Sequence, residues 1–179
     1  MTKSSQLEHA TATAMSGVPA LRPDRDADES AFCSMFVTIR RAPMDAAGFD
    51  AATVERLVQH QFDLQRVGYR YTYPLAQTEA IVVGDEVVGR LITDDSGEHV
   101  VLVDVMVDPT RQRQGIGTRI LRQFIGRHPG RTIALRVNHG TPADAWFRKH
   151  GFEQVGADEL QAHLVRADVE MASPAPGDQ

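Results

Sequence analysis

The residue types best suited to chemistry lie in a loop rich in glycine and arginine, between an apolar run and an amphipathic segment. The apolar run covers residues 100–107 and ends at Asp108 and Pro109, and the loop that follows carries Gly115 and Gly117. Glycine has no Cβ to hold an anion away from backbone N–H groups, and the first turn of a helix leaves such groups unpaired at the positive end of its dipole. The loop is therefore predicted to bind a pyrophosphate.

The elements that must position this loop are a buried strand and a helix. Six of the eight residues from Val100 to Val107 are Val or Leu, which predicts a strand buried on both faces. Pro109 ends the strand because proline cannot donate to a ladder. Beyond it, apolar residues recur at helical spacing and predict a helix that starts close to Gly115. These residues are Ile116, Ile120, Leu121, Phe124 and Ile125.

Two familiar phosphate loops are excluded by the residues present. A Walker A loop ends in Gly-Lys-Ser/Thr, whereas Gly117 is followed by Thr118, and a dinucleotide fingerprint needs a third glycine where Ile120 stands. The remaining pattern, Gln112-x-x-Gly115-x-Gly117, resembles the Gln/Arg-x-x-Gly-x-Gly/Ala motif of the GCN5-related N-acetyltransferases (GNAT), whose loop holds the pyrophosphate of acetyl-CoA. The resemblance implies cofactor contacts from Gln112, Arg113, Gln114, Gly115, Ile116, Gly117 and Thr118.

A second stretch is similar to the latter half of the same family. Residues 135–138 followed by residues 145–152 match an asparagine after the fifth strand, a short helix and a Gly-Phe ending. In the family, a splay between the fourth and fifth strands admits the pantetheine arm of the cofactor. The resemblance therefore implies further cofactor contacts from Asn138 and from the backbone of Met106 and Val107.

The sequence departs from the family at the general acid. The family often has a tyrosine that protonates the departing thiolate, and here the position is Phe147, which has no proton to give. A thiol has a reference pKa of about 8.5, so thiolate is a tolerable leaving group without an acid. Activity is still expected, with this role absent or moved.

Asp104 is the candidate general base, because it is the only charge within the central strand. An amine with a pKa of about 10.4 is protonated at neutral pH and must lose a proton before it attacks a thioester. An apolar setting would raise the pKa of Asp104 toward usefulness, directly or through a water. The competing interpretation is a buried carboxylate paired with Arg90 on the neighbouring strand.

All three tyrosines of the chain, Tyr69, Tyr71 and Tyr73, lie within five positions before a predicted strand. Tyrosine offers flat apolar area with a hydroxyl at its tip, so this cluster can line a pocket for a small polar substrate. Equally, alternate tyrosines could simply cover a sheet edge.

The predicted fold is mixed α/β and GNAT-like: a central, mostly antiparallel sheet of about six to seven strands, helices on both faces, and the splay described above. A first helix, capped by Asp26 or Asp28, is expected to end before Pro43, and a second to run over residues 51–67 and end at Gly68. The rest of the predicted fold consists of a hairpin, the central strand, a strand parallel to it, a helix capped by Thr141 and a closing antiparallel pair of strands. The opening LRPDRDADESAF also resembles the family.

Length, composition and charge indicate the number of domains, the class of partner and the location of the protein. With 179 residues, 42% hydrophobic content and a net charge of -5, the chain predicts one globular domain over residues 17–171, with loose segments at 1–16 and 172–179. The acidic balance argues against a nucleic-acid partner, and no run is long enough for a membrane span. A cytoplasmic location and no metal are expected. Between residues 109 and 143 no carboxylate occurs, and the seven arginines there form a basic stretch: Arg111, Arg113, Arg119, Arg122, Arg127, Arg131 and Arg136.

The functional prediction is acetyl transfer from acetyl-CoA directly to an acceptor, a primary amine on a small molecule or peptide. Phe147 leaves open a regulatory module that binds acyl-CoA without chemistry, and the arginines leave open a plain nucleotide or phosphate binder. A homodimer is compatible with the sequence.

Overall fold

The computed structural model describes residues 17–167, without the side chains at 42 and 43. Seven strands and four helices follow one another in the described chain. In order they are β1 (Ala20–Pro23), α1 (Glu29–Ala46), α2 (Ala51–Thr72), β2 (Gln77–Val83), β3 (Glu86–Asp94), β4 (Val100–Val107), α3 (Ile116–Gly126), β5 (Ile133–Asn138), α4 (Pro142–Lys149), β6 (Glu153–Ala157) and β7 (Gln161–Arg166). The predicted segments 1–16 and 172–179 lie outside the described residues.

One sheet of seven strands holds the domain together, in the order β1-β2-β3-β4-β5-β7-β6. Every neighbouring pair is antiparallel except β4 and β5, which are parallel, as a helical crossover requires. These two strands pair at three positions only, Val100–Leu102 against Ile133–Leu135. Beyond Leu102 they part, so the predicted fold class and the splay are both confirmed.

Helices cover both faces of the sheet. One face carries α3 and α4, whose buried side chains share a core with β4 and β5 residues such as Leu102 and Leu135. The other face carries α1 and α2, which pack with Ala80 and Met106. Among the described residues no helix is long and apolar enough to cross a membrane.

A β-bulge in β4 decides which side chains meet each face. Ile92 lies opposite Asp104 and Thr93 lies opposite Leu102, so Val103 is an extra residue without a partner on β3. An extra residue shifts the alternation of the strand that follows it. Leu102 therefore faces α3, whereas Met106 faces α1 and α2, and Asp104 comes to lie on the face that carries α2.

The two N-terminal helices are longer than predicted. α1 continues past Pro43 to Ala46, because Met44 packs against the core beneath α1 and α2 and offsets the missing backbone donor. α2 continues past Gly68 to Thr72. Glycine inside a helix costs only about 1 kcal/mol relative to alanine, and this one does not adopt the left-handed conformation that ends a helix.

The remaining predicted elements form where expected. The hairpin of β2 and β3, the parallel β5 and the antiparallel β6 and β7 are all present. Thr141 caps α4 by accepting the N–H of Asp144. At the start of α1 the cap differs from the expectation, since a short 3₁₀ turn, Asp26–Asp28, precedes the helix with Arg25 as its N-cap residue.

Asp28 fastens this turn to β1. Its carboxylate accepts two hydrogen bonds from Arg22, at 2.6 and 2.8 Å, and one from the backbone N–H of Arg25 at 2.9 Å. The residue is only 5% exposed. The Arg22 guanidinium holds the pKa of Asp28 below its ordinary value, against the opposing effect of burial.

We expect Asp28→Asn to lower the free energy of unfolding at neutral pH by about 1–3 kcal/mol. A lowered folded-state pKa gives stabilisation that is present above the ordinary carboxyl range and is lost as the pH falls through the folded pKa. The variant should therefore lose less stability than the wild type on acidification. Urea unfolding at a series of pH values measures both effects, and exposed Asp26→Asn is the matched control. Equal acid sensitivity of Asp28→Asn and wild type would contradict the assignment.

Candidate active site

The glycine loop lies between β4 and α3, as predicted. A 3₁₀ turn, Pro109–Arg111, follows β4, and α3 begins at Ile116 with Gly115 as its N-cap residue at φ 79°. Arg113 also has a positive φ, 61°. A non-glycine residue in this region costs about 1–2 kcal/mol. Such strain is concentrated at functional sites, where the surrounding structure maintains it.

Four successive backbone N–H groups at the start of α3 have no acceptor among the described residues. They belong to Gly115, Ile116, Gly117 and Thr118. A Cβ at Gly115 would meet nothing within 4 Å, and one at Gly117 would meet only the ring of Trp146, at 3.5 Å. Open space beside unpaired donors at the positive end of a helix fits the diphosphate predicted for this loop.

Polar side chains of the loop hold its shape. Gln112 Nε2 donates to the carbonyl of Val107 at 3.0 Å, and Gln114 Nε2 donates to a carbonyl four residues earlier, at 3.2 Å. Trp146 Nε1 of α4 donates to Thr118 Oγ1 at 3.4 Å. Gln112 therefore ties the loop to the end of β4, Gln114 ties the loop to its own 3₁₀ turn, and Trp146 ties it to α4. This role of Trp146 was not predicted from the sequence.

The seven arginines of the basic stretch divide into two groups. Three support the fold: Arg111 pairs with Glu86, Arg127 pairs bidentately with Glu79, and Arg131 donates to carbonyls of the turn before β4. The other four are exposed and have no side-chain partner in the described chain, which leaves them available to an anion. They are Arg113, Arg119, Arg122 and Arg136.

Backbone groups of β4 line the gap that opens toward β5. A Cβ on Gly89 would lie 2.2 Å from the Met106 carbonyl oxygen, so this oxygen is directed at β3. Neighbouring residues of a strand present their N–H and C=O groups to opposite sides. Val105 and Val107 therefore present theirs to the gap, while Met106 offers its own to β3. Val105 was not predicted from the sequence to face the gap, because the β-bulge that sets this alternation has no recognisable pattern in the sequence.

Asn138 ends β5, three positions beyond Leu135, the last residue of that strand to pair with β4. Gln161 Nε2 of β7 donates to Oδ1 of Asn138 at 3.2 Å, and Nδ2 of Asn138 has no partner among residues 17–167. An exposed amide donor thus lies at the end of the strand that borders the gap.

Phe147 does not face this gap. It is 4% exposed and belongs to the core beneath α3 and α4, with its ring 5.4 Å from that of Phe152 and 4.7 Å from that of Trp146. A purely apolar side chain suits that position. No proton donor for a leaving thiolate is supplied here.

Asp104 forms the ion pair that the sequence offered as the competing interpretation. Arg90 Nε and Nη2 contact Asp104 Oδ2 at 2.9 and 2.8 Å, and Nη2 also donates to Gln65 Oε1 at 2.7 Å. The guanidinium stacks over the Phe62 ring at 5.4 Å and is 3% exposed, whereas the Asp104 side chain is 21% exposed. Oδ1 of Asp104 has no hydrogen-bond partner within the described chain.

A cavity of about 700 Å³ opens beside this ion pair, between the sheet, the start of α1 and the end of α2. Arg90, Phe62, Tyr69 and Tyr73 line it. Tyr71 is 90% exposed and does not, because it lies on the outer face of α2. Burial, and then the negative charge of Asp104, raise the pKa of Tyr69 well above its ordinary value. Its hydroxyl therefore stays protonated at neutral pH.

The described part of the chain contains no group of three or more His, Cys, Asp or Glu side chains that could hold a metal ion. The groups that the fold does bring together are backbone donors, one paired carboxylate and a tyrosine hydroxyl. These are groups for binding and proton transfer.

Comparison with solved structures finds the same fold. An acetyltransferase of Thermus thermophilus is 22% identical with a TM-score of 0.61, over 83% of this chain and 96% of that one. A structure from Corynebacterium glutamicum described as histone acetyltransferase HPA2 and related acetyltransferase is 16% identical with a TM-score of 0.60, over 87% and 99%. The PaiA N-acetyltransferase of Thermoplasma acidophilum, in complex with coenzyme A, is 13% identical with a TM-score of 0.55, over 84% and 99%.

Sequence comparison identifies a known domain in the central part of the chain. A search of curated proteins finds no significant match. Residues 76–154 match the model of the acetyltransferase (GNAT) domain, and this range contains β4, the glycine loop, α3, β5 and α4. The glycine loop and the splayed strands lie within this range, so residues 76–154 form a GNAT-type acetyltransferase domain, and one solved structure with the same fold is in complex with coenzyme A.

Proposed function

We propose that the protein transfers the acetyl group of acetyl-CoA directly to a primary amine on a small molecule or a peptide. The observation that carries the proposal is the row of four unpaired N–H groups at the start of α3, next to the gap between β4 and β5. A diphosphate on Gly115–Thr118 would lead the pantetheine arm into that gap. Asn138 and the backbone of Val105 and Val107 are placed to hold the arm.

Transfer requires that the amine nitrogen bond to the thioester carbon while the carbon–sulfur bond breaks and CoA leaves as a thiolate. An N–H of β4 at the gap, from Val105 or Val107, would stabilise the charge that develops on the carbonyl oxygen. Phe147 contributes no proton, and a thiolate tolerates this because its conjugate thiol has a pKa of about 8.5. Positioning of the two substrates supplies most of the rate acceleration.

Asp104 is the group that would take the proton of the amine. Arg90 occupies one of its oxygens, and Oδ1 remains without a partner in the described chain. The carboxylate attracts an ammonium ion and would then accept its proton, directly or through a water.

The cavity lined by Arg90, the ion-pair partner of Asp104, is the proposed acceptor pocket. Tyr69 and Tyr73 provide aromatic walls, and the protonated hydroxyl of Tyr69 can donate a hydrogen bond to the acceptor. The Thermoplasma protein is named an N-acetyltransferase, which supports an amine as the acceptor class. A cytoplasmic location stays a prediction from the sequence.

The buried Phe147 favours a second candidate, a module that binds acyl-CoA and regulates a partner without chemistry. Turnover separates the two functions. With acetyl-CoA and a panel of small amines, polyamines, amino acids and peptide N-termini, we expect release of free CoA thiol with at least one acceptor. CoA binding without thiol release across the panel would support the regulatory module. Equal competition by ATP and CoA would instead indicate a general phosphate binder.

Gly115→Ala tests the loop. At φ 79° an alanine is strained by about 1–2 kcal/mol, and relaxation toward the right-handed region would turn the N–H groups away from the diphosphate. We expect the KM for acetyl-CoA to rise about tenfold. Gly126→Ala, at the other end of α3 and also with open space around its Cβ, is the control. An unchanged KM in Gly115→Ala would argue against the diphosphate site.

Asp104→Asn tests the base. The amide keeps the shape of the carboxylate and removes its charge, so we expect kcat to fall about 10²- to 10³-fold with little change in the KM for acetyl-CoA. Asp85→Asn, in the exposed turn between β2 and β3, is the control. Unfolding must be measured alongside, because Arg90 is buried. Activity within about threefold of wild type would reduce Asp104 to a structural partner of Arg90.

A further inference from the structure

The outer face of α2 carries an apolar stripe, defined here as Leu57, Leu64, Val67 and Tyr71. Their exposures are 42, 56, 65 and 90%. The steps between them are seven, three and four residues, which is the spacing of a helix-pairing seam, and His60 completes the pattern.

Nothing in the described chain covers this stripe. The opposite face of α2 is the one that packs against the domain, through Val54, Val58 and Phe62. Large apolar side chains that are exposed singly need no explanation, but an aligned row along one helix indicates an interaction surface. The acetyl-transfer site uses other residues of α2, so the proposed reaction leaves the stripe unexplained.

We propose that the stripe pairs with the stripe of a second copy of this chain, through antiparallel packing of two α2 helices about a two-fold axis near residues 65 and 66. In that arrangement Leu64 meets Val67 of the second copy, and Tyr71 meets His60 of the second copy. Because the axis is two-fold, each contact occurs twice. The N-terminal Leu57 reaches the segment that follows the helix in the second copy, where Leu75 is 65% exposed.

Charges beside the stripe favour a second copy over an unrelated partner. Asp63 and Arg70 lie on the same flank, and the antiparallel arrangement brings each beside the other residue of the second copy. Within its own chain Asp63 is 55% exposed and has only a long contact with Arg66, at 4.0 Å, and Arg70 has no ion-pair partner among residues 17–167. The surface is thus complementary to itself in charge as well as in apolar pattern.

The expected dimer is weak. α2 has 22 residues, and one helix pair buries less than the about 800 Å² per partner of a standard specific interface. Association should therefore depend on concentration and be sensitive to single substitutions along the stripe.

Sedimentation of the full chain over a range of concentrations tests the proposal. We expect a monomer–dimer equilibrium for the wild type and a monomer for Leu64→Glu. Leu160→Glu, at the 75% exposed Leu160 in the turn between β6 and β7, should dimerise like the wild type. Circular dichroism of each variant verifies folding.

Charge reversal gives the sharper test and leaves the apolar stripe intact. Asp63→Arg and Arg70→Asp each bring like charges together and should weaken the dimer about tenfold. Combining them recreates two opposite-charge contacts, so the double variant should recover affinity close to wild type. A wild type that stays monomeric up to about 100 µM, or a double variant no tighter than the single ones, would overturn the proposal.

Discussion

The short contact between β4 and β5 is the constraint on which the site depends. Pairing stops after Leu102 and Leu135, and beyond that point the backbone groups that face the gap have no partner on the opposite strand. Backbone donors and acceptors removed from water must find another partner. A pantetheine arm with its own amide groups can act as that partner. α3 starts at the same end of β4, which brings the proposed diphosphate site to the mouth of the gap.

The sequence predicts the parts of the site that depend on local chemistry. A run of Val and Leu, a proline, two glycines and a helical apolar period are sufficient to place β4, the loop and α3, because each acts within a few residues of itself. The cap of α4 at Thr141 follows from the same kind of signal. The resemblance to the acetyltransferases adds the prediction that the glycine loop binds the pyrophosphate of acetyl-CoA.

Long-range packing decides the features that the sequence does not predict. The extra residue Val103 has no local signal, yet it determines that Asp104 faces α2 and meets Arg90. The extension of α2 beyond Gly68 moves Tyr69 toward the cavity and Tyr71 out to solvent. Both outcomes depend on how α2 lies on the sheet, and neither can be inferred from residue spacing alone.

Gly89 of β3 affects the gap between β4 and β5 from the other side of β4. A methyl group there would lie 2.2 Å from the Met106 carbonyl oxygen, so β3 and β4 would have to move apart. Any displacement of β4 in that separation would be toward β5 and would narrow the gap between β4 and β5. The absence of a side chain at Gly89 therefore lets β4 lie close to β3 and helps to keep the gap to β5 open, although Gly89 does not line that gap.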